Sequence, residues 1–83
     1  MLLDDLKQAE KRSVGVKQAE KAVLKDNATK VFVAEDADPR VTFKLVSLCQ
    51  EHKVEVVKVN NMGELGRACG IHVKAAAAAI LKI

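Results

Sequence analysis

The sequence predicts an α/β protein, a three-layer α/β/α sandwich built on a small mixed sheet. Three observations predict it. Strand-like and helix-like segments alternate along most of the chain, which calls for a sheet covered on both faces. Lys30 to Glu35 (KVFVAE) and Val54 to Val59 (VEVVKV) are β-branched runs of strand length. The run Ala75 to Leu81 is apolar throughout, as a strand buried on both faces can be.

Each element has its own signal. Asp4 to Arg12 reads as a short helix with Leu6 and Ala9 facing inward, and Ser13-Val14 as a brief extended piece ending at Gly15. Val16 to Lys25 places Val16, Ala19, Ala22 and Val23 at helical spacing. Lys30 to Glu35 is the first clear strand. Asp38-Pro39 opens a helix, with the acid as N-cap and proline at the first helical position. That helix runs to about Lys53 and is expected to bury Val41, Leu45, Leu48 and Cys49. Val54 to Val59 is the second strand. Asn61 caps a short helix, Glu64 three residues on completes a capping box, and Gly70 ends it. Alanine is the best helix former. Yet the alanine run has no cap and ends in Ile80, Leu81 and Ile83, so Ala76 to Lys82 is assigned to a central strand, where small side chains let helices approach closely.

Eighty-three residues fit one domain, residues 1–83, with a modest core. The apolar content of 49% is that of a globular chain. No apolar run is long enough to cross a bilayer as a helix. Asp4 and Asp5 near the start, with no hydrophobic segment behind them, argue against a signal peptide and place the chain in the cytosol. Cys49 and Cys69 form no Cys-x-x-Cys pair and suggest no disulfide framework.

Catalytic patterns are missing from the sequence. Ser13 and Ser47 sit in no nucleophile motif, and no phosphate-binding glycine loop is present. Glu35, Asp36 and Asp38 lead into a helix start, where acids are explained by capping and the helix dipole. The chain therefore reads as a binder with no cofactor, not an enzyme. Cys49-x-x-His52 and Cys69-x-x-His72 have ligand-like spacing for zinc. Cys49 lies on an apolar helix stripe, however, where a free cysteine is an ordinary core residue, and no metal site is assigned.

Charge points elsewhere. The formal net charge is +3, but residues 11–30 carry Lys11, Arg12, Lys17, Lys21, Lys25 and Lys30 against Glu20 and Asp26. The positive excess sits in one quarter of the chain, which fits a localised polyanion site or a solvated lysine-rich helix equally. There is no Trp or Tyr, and Phe32 and Phe43 both fall in expected core elements. A flat, base-stacking reader of single strands is thereby disfavoured. In GVKQAEKA, Gly15 to Ala22, the glycine permits close backbone approach and the helix start offers free N–H groups. Lys17, Lys21 and Lys25 recur every four residues, with Gln18 beside them able to both donate and accept.

Three stretches together, GVKQAEKA, VAEDADP and ELGRACGIHVKAAAAAI, resemble the ribosomal protein L-seven-Ae family of kink-turn RNA binders, in its small bacterial form. The resemblance spans roughly Leu6 to Leu81. It implies an α/β/α sandwich around a four-stranded mixed sheet. It implies binding to a kink-turn, an RNA internal loop bent beside tandem sheared G·A pairs. The family's Gly-x-Asn-Glu-x-x-Lys motif falls on Gly15, Lys17, Gln18 and Lys21, and its side chains would read the guanines. Ile71 and Val73 would enclose a nucleotide flipped out of the kink, with Leu65 and Gly66 in the helix supporting that loop. Lys17-Gln18 stands where archaeal and eukaryotic members carry Asn-Glu, and His72 stands where relatives often carry an acid. Lysine still donates to guanine O6 or N7. The change also adds positive charge, which should strengthen general phosphate attraction.

The expected RNA-binding residues are thus Gly15, Lys17, Gln18, Lys21, Lys25, Ile71, His72 and Val73. The expected partner is ribosomal RNA or a riboswitch-type RNA with a kink-turn, bound by a monomer, with ribosome association and without a membrane. The competing reading is a protein-interaction module of the same fold that uses the basic helix.

Overall fold

The computed structural model describes residues 4–82. Its elements, in chain order, are α1 (Asp4–Gln8), β1 (Arg12–Val14), α2 (Val16–Leu24), β2 (Ala28–Ala34), α3 (Pro39–His52), β3 (Glu55–Val59), α4 (Met62–Ala68) and β4 (Ala77–Leu81). The strands form one mixed sheet in the order β1-β4-β2-β3. β4 runs antiparallel to both neighbours, and β2 pairs parallel with β3.

Side-chain alternation sorts the core into two layers. Val31, Val33, Ala77 and Ala79 face α2 and α3, where they meet Ala19, Ala22, Val23, Leu45 and Cys49. Phe32, Ala34 and Ala78 face the other way, toward Leu6 of α1, Leu65 and Ala68 of α4, and Cys69 at its C-terminal cap. This is the three-layer sandwich expected from the sequence. The alanine run is a central strand, as expected, with Ala77, Ala78 and Ala79 all fully buried. A helix in its place would expose the edge of β2. Buried alanines on both faces give each helix layer a shallow surface to pack on.

Two core expectations fail on α3. Its buried residues are Thr42, Leu45 and Cys49, while Leu48 is half-buried and Val41 is 50% exposed. Phe43, expected in the core, is 72% exposed. The helix presents the face defined by Leu45 and Cys49, and Phe43 points well away from it. The first helix is also shorter than expected. It stops at Gln8, and Ala9 to Lys11 turn the chain into β1.

The N-cap signals appear in place, but among the described residues the Glu64 side chain does not complete the expected capping box. Asp38 Oδ1 accepts the Arg40 amide at 2.9 Å, ahead of Pro39. Asn61 Oδ1 accepts the Glu64 amide at 2.8 Å. α3 ends at Lys53 in the left-handed region, φ 59°. That conformation costs a non-glycine residue about 1–2 kcal/mol, partly offset by the entropy glycine would lose. Lys53→Gly should therefore stabilise the fold by roughly 0.5–1 kcal/mol in urea titration.

Candidate nucleic-acid interface

Sheet polarity decides what the fold brings together. β1, β2 and β3 end where β4 begins. The chain leaves β1 at Val14, which pairs with Ala78, and enters α2 directly. Gly15 occupies the junction with φ 108°, a conformation that favours glycine. Its amide donates to the Ala77 carbonyl at 2.8 Å, fastening the start of α2 to the start of β4. Among the described residues, its chain neighbours aside, no atom lies within 4 Å of where a Cβ at residue 15 would sit, so that side of the junction is open.

The start of α2 is electropositive by construction. Among the described residues no side chain caps it, and its first turn carries no acid. Its unpaired N–H groups and helix dipole both favour an anion. Lys17, Gln18, Lys21 and Lys25 are all exposed. Lys25 forms the C-terminal cap of α2, about 12 Å along the axis from Lys17, so it sits at the far end of the stripe.

The second element is the loop from Gly70 to Ala76. α4 holds it at several points. The amides of Gly70 and Ile71 donate to the Arg67 and Gly66 carbonyls at 3.0 and 3.1 Å, and the Ala75 amide donates to the Met62 carbonyl at 3.1 Å. Between these ties the loop backbone lies directly on α4. A Cβ at Gly66 would collide with the Val73 carbonyl oxygen. Ile71 is half-buried against the core, whereas His72 and Val73 are exposed, Val73 by 69%.

Gly63, Arg67, Ile71, His72, Val73 and Lys74 line a groove of about 310 Å³ between α4 and this loop. It combines two aliphatic side chains with the cations of Arg67 and Lys74. Sequence reasoning missed both cations. Arg67 and Lys74 lie outside the basic quarter of the chain, and only their placement around the groove singles them out.

The two elements flank the start of β4. Val73 is four residues from Ala77, within about 14 Å along the chain, and Ala77 is the bonding partner of Gly15. The fold thus brings Gly15, Lys17 and Gln18 to the same end of the sheet as Ile71, His72 and Val73. The acidic turn after β2 adjoins them. The Ala34 amide donates to the Ala76 carbonyl, and Asp36 Oδ1 accepts the Met62 amide at 2.8 Å at the start of α4. The Arg40 guanidinium, with the Arg40 amide, holds the Asp38 carboxyl below the usual carboxylate range.

Two cations of the basic quarter are engaged elsewhere. Lys30 pairs with Asp5 at 2.7 Å, and Arg12 donates to backbone carbonyls. The Cys–His pairs do not meet, since Cys49 and Cys69 belong to core layers on opposite sides of the sheet. Burial pushes both thiols up, away from the thiolate a metal would need. No helix among the described residues is long and apolar enough to cross a membrane.

An α/β/α scaffold that sets a cationic helix start beside an apolar-tipped loop defines a surface for a large anionic ligand. The chain belongs to the ribosomal protein L7Ae/L30e/S12e/Gadd45 family, whose model matches residues 2–83. A curated "RNA-binding protein" of Bacillus pumilus is 43% identical over 81 residues, covering 98% of this chain and 99% of the relative. The RNA-binding protein YbxF of Geobacillus stearothermophilus is 44% identical over 82 residues, covering 99% and 100%. Among solved structures, the Giardia lamblia 15.5kD RNA binding protein superposes with a TM-score of 0.89 at 33% identity. It covers 99% of this chain and 72% of its own.

Proposed function

We propose that this chain is a non-catalytic, cytoplasmic RNA-binding protein whose residues 1–83 act as one unit to recognise a kink-turn in ribosomal or riboswitch-type RNA. One observation carries the reading. The Gly15–Ala77 hydrogen bond fastens the start of α2 to the root of the 70–76 loop, so one bent RNA can touch both. Family membership and relatives named as RNA-binding proteins support RNA as the ligand.

The roles follow from position. Gly15 lets the RNA approach the helix start, where free amides, Lys17 and Gln18 face guanine edges at the G·A pairs. Lys21, one turn further on, reaches a base edge or a phosphate, and Lys25 continues the contact along the phosphates. Ile71 and Val73 close on the extruded nucleotide, His72 stands at the solvent side between them, and Arg67 and Lys74 neutralise its phosphates.

Calorimetric titration against a kink-turn duplex, with a control whose G·A pairs are replaced by Watson–Crick pairs, tests the reading. At least tenfold preference for the kink-turn is expected, and equal affinity for the two RNAs rejects the proposal. Lys21→Ala should lower the slope of log K against log salt by about one where it meets phosphate. It should cost roughly 1–3 kcal/mol where it meets a base edge. An unchanged affinity and slope would remove Lys21 from the site.

A further inference from the structure

Arg12 looks, by sequence, like one more charge in a basic segment. Its guanidinium is instead turned along the protein surface onto two helix ends. Nη1 donates to the Leu6 carbonyl at 3.1 Å and to the Lys7 carbonyl at 3.4 Å. Nη2 donates to the Cys69 carbonyl at 3.1 Å. These carbonyls belong to the last turn of α1 and to the C-terminal cap of α4. Helix C-termini leave carbonyls without intrahelical partners and favour a nearby cation. The planar fork of arginine reaches several such acceptors at once, which a lysine cannot.

The contact falls at the place where α4 hands the chain to the apolar tip. Gly70 follows Cys69 with φ 76°, and Arg12 Nη2 lies 3.5 Å from where a Cβ at residue 70 would sit. One residue later the chain reaches Ile71. The far side of the tip is held independently, by the seat of Val73 on Gly66 and by the bond from Ala75 to Met62. Arg12 therefore anchors the near side.

We infer that Arg12 is a positioning residue for the RNA-binding tip, tying α1, β1 and the end of α4 together so that Ile71 to Val73 are held ready for an extruded nucleotide. The inference rests on the kink-turn reading above. Its energetic logic is pre-organisation. Apparent affinity falls in proportion to the fraction of protein whose tip is correctly placed. Arg12 itself does not touch the RNA in this account.

Arg12→Met keeps the aliphatic stem and removes the fork; Arg12→Lys keeps the charge and one donor group. Both are compared with the wild type, and with the same substitutions made on an Ile71→Ala background, at a temperature where every variant is folded. Arg12→Met is expected to speed amide exchange at Gly70 and Ile71 about tenfold in the free protein and to raise Kd for kink-turn RNA about five- to tenfold. On the Ile71→Ala background the same change should raise Kd less than about twofold, because the side chain nearest the anchor has already gone. Arg12→Lys should fall between. An unchanged Kd, an equal factor in both backgrounds, or unchanged exchange at Gly70 and Ile71 overturns the role. A wild type that binds kink-turn and Watson–Crick control alike overturns the function and this role together; intact discrimination with an unchanged Kd for Arg12→Met overturns the role alone.

Discussion

Replacing Gly66 with alanine is expected to destabilise the fold by about 2–3 kcal/mol and to displace the 70–76 loop in the same step. In an ordinary helix interior the change from glycine to alanine is stabilising, by roughly 1 kcal/mol. Here the new methyl group would occupy the space of the Val73 carbonyl oxygen and press on the Val73 carbonyl carbon at 3.2 Å. Backbone cannot rotate out of the way as a flexible side chain can. Either α4 lifts from the core, exposing Leu65 and Ala68, or the loop moves off α4 and loses the bonds at Ile71 and Ala75. Overpacking of this kind costs typically about 1–3 kcal/mol. For a chain of this size 2–3 kcal/mol corresponds to a fall in Tm of very roughly 10–20 °C. Urea unfolding supplies the stability, and amide shifts of residues 72–75 report the displaced loop. Gly63 in the same helix is the control, because among the described residues a Cβ there meets only the Asn61 Oδ1 atom, at 3.3 Å. Gly63→Ala should change stability by less than about 1 kcal/mol. A Gly66→Ala protein as stable as the wild type would show that the loop does not rest on α4.

The fold was largely legible because its signals are local. Asp38-Pro39, Asn61 and Gly70 mark helix ends through their own backbone chemistry, and the structure places each at the end it announces. The alanine run was harder, since propensity favours helix; alternation along the chain and burial on both faces decide for a strand. Helix phase was less legible. Val41 and Phe43 look like core residues by type, yet Thr42 is the residue that α3 buries, because the phase is set by Leu45 and Cys49 against the sheet. The charge count also failed in detail. It could not tell the exposed ammonium groups of Lys17, Lys21 and Lys25 from Lys30, which is paired with Asp5, or from Arg12, which is bonded to carbonyls. Nor could it find Arg67 and Lys74, which reach the groove only because the loop folds back along α4.

Val73→Asp is expected to separate binding from stability. A surface aliphatic group can be a remnant of the core or a contact awaiting its partner, and exposure distinguishes them. Ile71 serves both purposes, since it packs against the α4 layer while lining the groove. Val73 is 69% exposed, so little of its apolar area is buried by folding. Substituting it should change folding stability by no more than about 0.5 kcal/mol. On the proposed reading its area is buried by the flipped nucleotide. Aspartate would forfeit that burial, worth up to about 1.5–3 kcal/mol for a fully covered valine. It would also set a negative charge beside the RNA backbone, opposing Arg67 and Lys74. Together these predict a loss of at least about 2 kcal/mol, or some thirtyfold in Kd. Val73→Leu, which keeps the apolar character, should stay within about threefold of the wild type. Calorimetry on both variants, alongside urea unfolding, provides the comparison. If Val73→Asp binds kink-turn RNA as tightly as the wild type, the tip is not the second point of grip. If it unfolds the protein instead, the side chain belongs to the core despite its exposure.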